Sequence, residues 1–292
     1  MPSTVYDAIL GALTLKQVTR SGYSLNGEPI VGRASGAPAP SEYFGGESAP
    51  QADFDSADIA GVLGAISVSA GLAVSSGTIT IPYNKRASGG TFAGTLAHFT
   101  LNGTNGLIVP SEFSVNQGDP AALAKLMCHF RSTNGIAEPV SESINQTLAA
   151  QSFNAMYALG PGSINGNTID QLQGIVVTPG ITVLPQYQDG GIYPTDLFIQ
   201  TQQPTIDYLF EDLDAIETFS AQFTVMTAAI AYFRKRSGVS FVSDATEEHV
   251  KFSFADGIVS TQSIQSSDVN NGQATLRCYG EALTATASSA IS

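Results

Sequence analysis

The chain has 292 residues, room for two domains of ordinary size, with 43% hydrophobic and only 13% charged side chains. Globular proteins average about 25% charged residues, and disordered chains pair few apolar residues with many charges, so this composition excludes disorder. Lys+Arg 12 against Asp+Glu 25 leaves a net charge of −13, which opposes any role that grips nucleic acid through its phosphates.

Both halves are acidic, residues 1–146 at net −4 and residues 147–292 at net −9. Two cysteines make no disulfide framework, and no Cys-x-x-Cys is present. The start, MPSTVYDAILGALTLKQVTR, has an acid within its short apolar stretch and no basic residue ahead of it, so it does not read as a signal peptide. No run of 18 apolar residues offers a transmembrane helix. A protein folded and assembled in the cytoplasm, with no membrane insertion, is expected.

Along the chain, the Gly/Ser/Pro-rich stretch 32–50 reads as a long loop or an arm toward a neighbouring molecule. Asp55 is placed to cap a helix whose stripe is Ile59, Val62 and Leu63. Phe99 and Leu101 then alternate with His98 and Thr100, the period of a half-buried strand. Asn105-Gly106 follows, a pair that supplies the positive φ of a type I′ hairpin turn. Leu126, Cys128 and Phe130 alternate in a further strand. Ser, Pro, Gly and Asn crowd the stretch 135–162, which reads as a junction. Beyond it, Leu209, Leu213 and Ile216 make a second helical stripe, with Glu211, Asp212, Asp214 and Glu217 facing water. Val250, Phe252 and Phe254 alternate with Lys251 and Ser253, Asp256-Gly257 forms a second hairpin signal, and Leu276 and Cys278 close the pattern.

These elements recur in order. Lys85-Arg86 matches Lys235-Arg236 at an offset of 150, His98 matches His249 and Gly106 matches Gly257 at 151, and Cys128 matches Cys278 at 150. Upstream, Phe44 and Pro50 match Phe198 and Pro204 at 154. Any two β-rich segments share alternation and turn residues, but chance does not supply the shared order, nor put both cysteines and two of the three histidines on matching positions. The fold expected is mainly β: two tandem, similar β-sandwich or half-barrel domains, over 1–148 and 149–292, each with one short flanking helix.

Catalysis finds little support. His98 and His249 lie on equivalent strands and read as structural, and His129 neighbours Cys128 on a strand, so the two side chains point to opposite faces. Cys128 and Cys278 read as small core residues. Residues 53–58 (DFDSAD) resemble a calcium loop without its glycine or terminal glutamate. Residues 160–166 (GPGSING) imitate a dinucleotide fingerprint with one residue too many and a proline. No Gly-x-Ser-x-Gly and no phosphate-binding loop occurs. No catalytic residue, cofactor or metal is assigned.

The sharpest charged feature is the pair of basic clusters Lys85-Arg86 and Arg234-Lys235-Arg236, read either as solvated turns or as patches meeting acids of a neighbouring subunit, such as Glu211 to Glu217 or Glu247-Glu248. Open sheet edges must be covered or closed. Six such units in a ring pair edge to edge, and a chain with two units needs three copies to build that ring.

On its tandem halves, its segments HFTLNGTNGLIVPSEFSV and EHVKFSFADGIVSTQSIQ, and one helix per half, the chain resembles the major tail tube proteins of long-tailed bacteriophages, of the duplicated-domain, trimer-forming type. The likeness covers most of the chain but is one of pattern. It implies homotrimeric, pseudo-hexameric rings stacked into a tube within the virion tail, no catalysis, and an acidic lumen that DNA passes without specific binding. It also implies contacts with baseplate or tail-tip, tape measure and terminator proteins. Alternatives of similar architecture are a tail terminator, a baseplate hub component, a capsid decoration protein and a glycan-binding adhesin; Trp 0 argues against the last.

Overall fold

The computed structural model describes residues 7–66 except 12, 34, 36–38 and 41, and residues 78–83, 98–146, 155–211, 223–265 and 272–292. Within them the protein is mainly β, its strands joined in antiparallel sheets. The first half runs β1 (Ala8–Leu10), β2 (Leu13–Leu15), β3 (Val18–Ser24), β4 (Gly27–Gly32), β5 (Glu42–Ser48), β6 (Gln51–Ser56), α1 (Ile59–Ala65), β7 (Ile79–Tyr83), β8 (His98–Gly103), β9 (Gly106–Asn116), β10 (Leu123–Phe130) and β11 (Val140–Gln146). The second half runs β12 (Tyr157–Ile164), β13 (Asn167–Thr168), β14 (Leu172–Thr178), β15 (Ile181–Gln186), β16 (Asp196–Gln202), β17 (Thr205–Phe210), β18 (Thr224–Met226), β19 (Ala229–Ser237), β20 (Ser240–Phe241), β21 (His249–Phe254), β22 (Gly257–Gln265), β23 (Gln273–Gly280) and β24 (Thr284–Ser289).

Three sheets carry the body. One five-stranded sheet from the first half has the order β11-β8-β7-β1-β2, and the second half's counterpart has the order β24-β21-β19-β12-β13. The large sheet runs β3-β6-β10-β9 through the first half and continues as β14-β17-β23-β22-β18 through the second. Two exposed hairpins, β4-β5 and β15-β16, stand apart as arms.

The halves agree in register as well as order. Cys128 pairs with Ala52 and Ile108; Cys278 pairs with Ile206 and Val259. Ile79 opposes Gly103 as Ala229 opposes Phe254. Ile30 opposes Phe44 on the first arm as Leu184 opposes Phe198 on the second. Even the irregularities match: the β9–β10 ladder slips at Ser111, and the β22–β23 ladder slips at Gln262, the residue 151 further on. A bulge adds one unpaired residue and bends its strand, so its position is a sensitive marker of register.

Period-2 patterning builds these strands. In β6 Ala52, Phe54 and Ser56 are buried; in β17 Ile206, Tyr208 and Phe210 are buried, with the intervening residues turned outward. Tyr208 crosses between sheets, its hydroxyl donating to the Ile230 carbonyl at 2.8 Å, and Gly162 leaves room for its ring, since a Cβ there would lie 2.6 Å from Cε1. The buried residues of both halves form one continuous core. Across the halves β9 pairs with β14, Phe113 meets Phe252 with centroids 5.0 Å apart, and α1 packs on β24.

Several local expectations come out differently. Asn105-Gly106 and Asp256-Gly257 are not hairpin turns: β8 and β21 belong to the small sheets, β9 and β22 to the large one, and the chain changes sheet at each turn. Asn105, Gly106 and Asp256 have no positive φ, and Gly257 sits at 156° rather than in a type I′ geometry. The glycines serve close approach instead: a Cβ on Gly106 would stand 2.5 Å from Ile79 Cδ1, and one on Gly257 would collide with the Tyr279 carbonyl. The first helix is capped by Asp58, whose Oδ1 accepts the Gly61 N–H at 3.1 Å, while Asp55 lies on β6. Leu209, expected on the second helix, lies on β17, where the alternation of Ile206, Tyr208 and Phe210 overrides a helical spacing. Leu213, Ile216 and Glu217 lie outside the described residues, as do Lys85 and Arg86 and the expected boundary at 148/149. The dinucleotide-like segment is β12 followed by a turn at Asn165 (φ 52°) and Gly166 (φ 80°), and the calcium-like segment is the end of β6 and the helix cap.

Candidate functional site

Strands β3 and β22, toward the two ends of the large sheet, are its most informative surface. At the internal join, Phe113 opposes Val177 and Ser114 opposes Val176, and both Phe113 and Val177 are fully buried. The residues in corresponding positions toward the sheet's two ends are Ile264 on β22, next to the short end strand β18 and 151 after Phe113, and Tyr23 on the end strand β3, 154 before Val177. Ile264 is 57% exposed and Tyr23 is half-exposed. β18 covers only Gly257–Val259 of β22, and no described strand pairs with β3 on its outer side. Tyr23 packs edge-on to Phe130 with centroids 6.3 Å apart, and burial, then the nearby Glu138 carboxylate, pushes its phenol up to about 12.

The outward face of the large sheet carries paired charges. Arg20 meets Asp53 at 3.0 Å and Asp55 at 3.9 Å, Lys125 meets Glu112 at 2.8 Å, and Arg277 grips Asp207 through two contacts at 2.6 and 2.7 Å. That bidentate bond is the main cause holding the Arg277 guanidinium even further above its ordinary range. These pairs set four carboxylates against three cations, so the cations on this face are engaged within the chain.

The basic cluster of β19 is engaged within its own chain. Arg234 makes a bidentate contact with Asp244 at 2.7 Å and lies over the Phe241 ring at 4.9 Å. Lys235 Nζ donates to Glu248 at 2.7 Å, which is the main cause lowering the Glu248 carboxyl. Glu248 is one of the acids the sequence offered as a partner, but it is met inside the chain. Arg236 lies over the same Phe241 ring at 5.6 Å. Glu211, at the end of β17, accepts a bond from Gln273 at 3.4 Å, and the structure does not bring it to the cluster.

His249 is buried and doubly bonded: its Nδ1 accepts the Lys235 N–H at 3.1 Å, so Nε2 carries the proton and donates to the Ser243 carbonyl at 3.1 Å. That tautomer ties the β20–β21 connection to β19. His98 is buried at the matching place on β8. Cys128 and Cys278 are free thiols in the core, and burial pushes both far above the ordinary thiol range. Among the described residues no three His, Cys, Asp or Glu side chains are grouped to hold a metal, and no helix is long and apolar enough to cross a membrane.

Sequence reasoning overlooked the edge residues Tyr23 and Ile264, and found Phe44 and Phe198 without the arm partners they oppose, Ile30 and Leu184. The signal was present in part: the offset of 154 that links Phe44 to Phe198 extends back to Pro40 and Pro194. No protein-family model matches the chain, and no curated protein matches it.

Proposed function

We propose that the chain is a structural protein formed by internal duplication, whose copies join edge to edge into closed rings. Such rings, stacked, make the tail tube of a long-tailed phage. The observation that carries this reading is the internal join of β9 to β14. Its counterparts, β22 and β3, lie near opposite ends of the same sheet, so the second half of one copy can receive the first half of the next as its own first half receives its second. The equivalent pairs between copies are Tyr23 opposite Ile264 and Gly22 opposite Gln265. The join buries the apolar side chains that stand open in a single copy and closes an edge otherwise prone to uncontrolled pairing. Three copies, each giving two units, complete a pseudo-sixfold ring. Its inner wall is the outward face of the large sheet, a surface of paired charges that offers DNA no basic grip. The assembled particle needs no cofactor and no catalysis, and its further partners are tail proteins at the two ends of the tube and a tape measure within it.

Negative-stain electron microscopy of concentrated protein, with and without a tail-tip nucleus, tests the reading. Annuli with sixfold pseudo-symmetry and hollow tubes of regular repeat are expected. A protein that stays monomeric at every concentration and nucleus tried overturns it. A terminator or hub gives single rings without tubes, and a decoration protein or adhesin gives neither.

A further inference from the structure

We propose that the first arm of one copy seats Pro40, Glu42 and Tyr43 in a pocket on the second half of the next copy. This rests on the edge-to-edge reading above and adds a second contact to it. The pocket, of about 460 Å³, is lined by Val225, Met226, Asp256, Ile258, Tyr279 and Glu281, with Gly257 and Gly280, toward the β22 end of the large sheet.

In the first half the corresponding residues are Leu107, His129, Phe130 and Arg131, and the second arm is bonded beside them. The base of the second arm meets the rim of that place: the Ser132 N–H donates to the Pro194 carbonyl at 2.8 Å, and Arg131 Nη1 stands 3.2 Å from Asp196 Oδ1. The bonded segment reads Pro194-Thr195-Asp196-Leu197-Phe198. The first arm repeats it 154 residues earlier as Pro40-Ser41-Glu42-Tyr43-Phe44, with proline, hydroxyl, acid, apolar residue and phenylalanine in the same order. Tyr43 is 67% exposed and Phe44 53% exposed in the single chain. The receiving side is also more open in the second half, because 281–283 alone connects β23 to β24 whereas 131–139 connects β10 to β11. The directions agree. The half that offers β14 to β9 also sends its arm back to Arg131, so the copy that offers β3 to β22 delivers its arm to the pocket.

One difference makes the contact testable. Arg131 and Asp196 attract, but their counterparts are Glu281 and Glu42, two exposed carboxylates. Between copies this seat therefore sets Glu42 against Glu281, with Asp256 also in the lining, and these like charges weaken the association that shape and strand pairing favour. Sedimentation equilibrium at about 50 mM salt, where screening is modest, compares the wild type with Glu281→Arg, Glu42→Arg and the double variant. Each single variant turns repulsion into an ion pair and is expected to tighten self-association about fivefold. The double variant sets Arg against Arg, with only Asp256 left to offset them, and is expected to associate more weakly than either single variant. If the double variant instead associates more tightly than either single one, only net charge matters; the arm then docks elsewhere and the edge pairing stands. If no variant associates at all, the ring reading fails and the docking with it.

Discussion

Phe130 lies against the bare α-carbon of Gly103, and any side chain at Gly103 would run into its ring; at the matched place in the second half the sizes are exchanged, with Phe254 lying against Gly280. One aromatic ring fills each site, supplied by the large sheet in the first half and by the small sheet in the second. If the halves descend from one unit, the first site must accept the second site's solution. Phe130→Gly alone is expected to cost about 4 kcal/mol by leaving a cavity, and Gly103→Phe alone about 3 kcal/mol or more by overpacking. The double variant Gly103→Phe/Phe130→Gly is expected to recover at least half of the combined loss in urea unfolding. Simple additivity of the two losses contradicts a shared packing scheme.

His129 gives the fold an acid-sensitive element. It sits on the outward face of β10, partly enclosed between β6 and β9, and burial lowers its imidazole below the ordinary value. The unfolded chain therefore takes up a proton near pH 6.5 that the folded chain resists. Stability from this residue is complete above about pH 7 and declines as the pH falls through the unfolded value near 6.5. Thermal melts of wild type and His129→Gln between pH 8 and pH 5, an interval chosen to bracket an imidazole of about 6.5, are expected to converge or cross on the acid side. Parallel curves show that His129 is solvated like a free imidazole.

The strands were legible wherever one face is buried. Val250, Phe252, Phe254, Leu126, Cys128 and Leu276 announce their strands by alternation, and the matched cysteines, Cys128 and Cys278, sit in comparable registers. What stayed hidden is where strands find partners. Asn105-Gly106 and Asp256-Gly257 carry a strong local hairpin signal, but the strands on either side enter different sheets, and turn chemistry holds no information about a ladder formed with residues far away in sequence. The second helical stripe failed for a related reason. Leu209 fits a spacing of three and four with residues beyond it, yet it also belongs to TIDYLF, whose period of two wins because Ile206, Tyr208 and Phe210 all reach the core. Arg234 and Lys235 looked free for a neighbour because Asp244 and Glu248 reach them only through the reversal of β19 into β21.

The two thiols provide a clock for opening of the core. Both are enclosed, and burial keeps them protonated at neutral pH, so a thiolate-specific reagent has no nucleophile to meet. Native protein is expected to react with neither thiol on the time scale of minutes, and protein in denaturant to react at both. Because the core is continuous across the halves, Cys128 and Cys278 are expected to become reactive at the same denaturant concentration. Mass spectrometry that finds one thiol labelled well before the other shows instead that the halves open separately.

The edge residues separate assembly from folding. Phe113 is fully buried at the internal join, so Phe113→Lys places a charge in the core and is expected to unfold the protein. Ile264, in the corresponding position at the open end, is 57% exposed, and Ile264→Lys is expected to change stability by less than about 0.5 kcal/mol. In the proposed ring, however, Ile264 would occupy the place of Phe113 and Tyr23 that of Val177, so the same lysine would meet an apolar neighbour across the join. Ile264→Lys is thus expected to abolish rings and tubes while its thermal midpoint and circular dichroism stay those of the wild type. Val239→Lys, on the fully exposed turn between β19 and β20, strands of a different sheet from β3 and β22, controls for added charge and is expected to assemble normally. Tubes formed by Ile264→Lys in wild-type yield show that copies do not meet along β22 and β3.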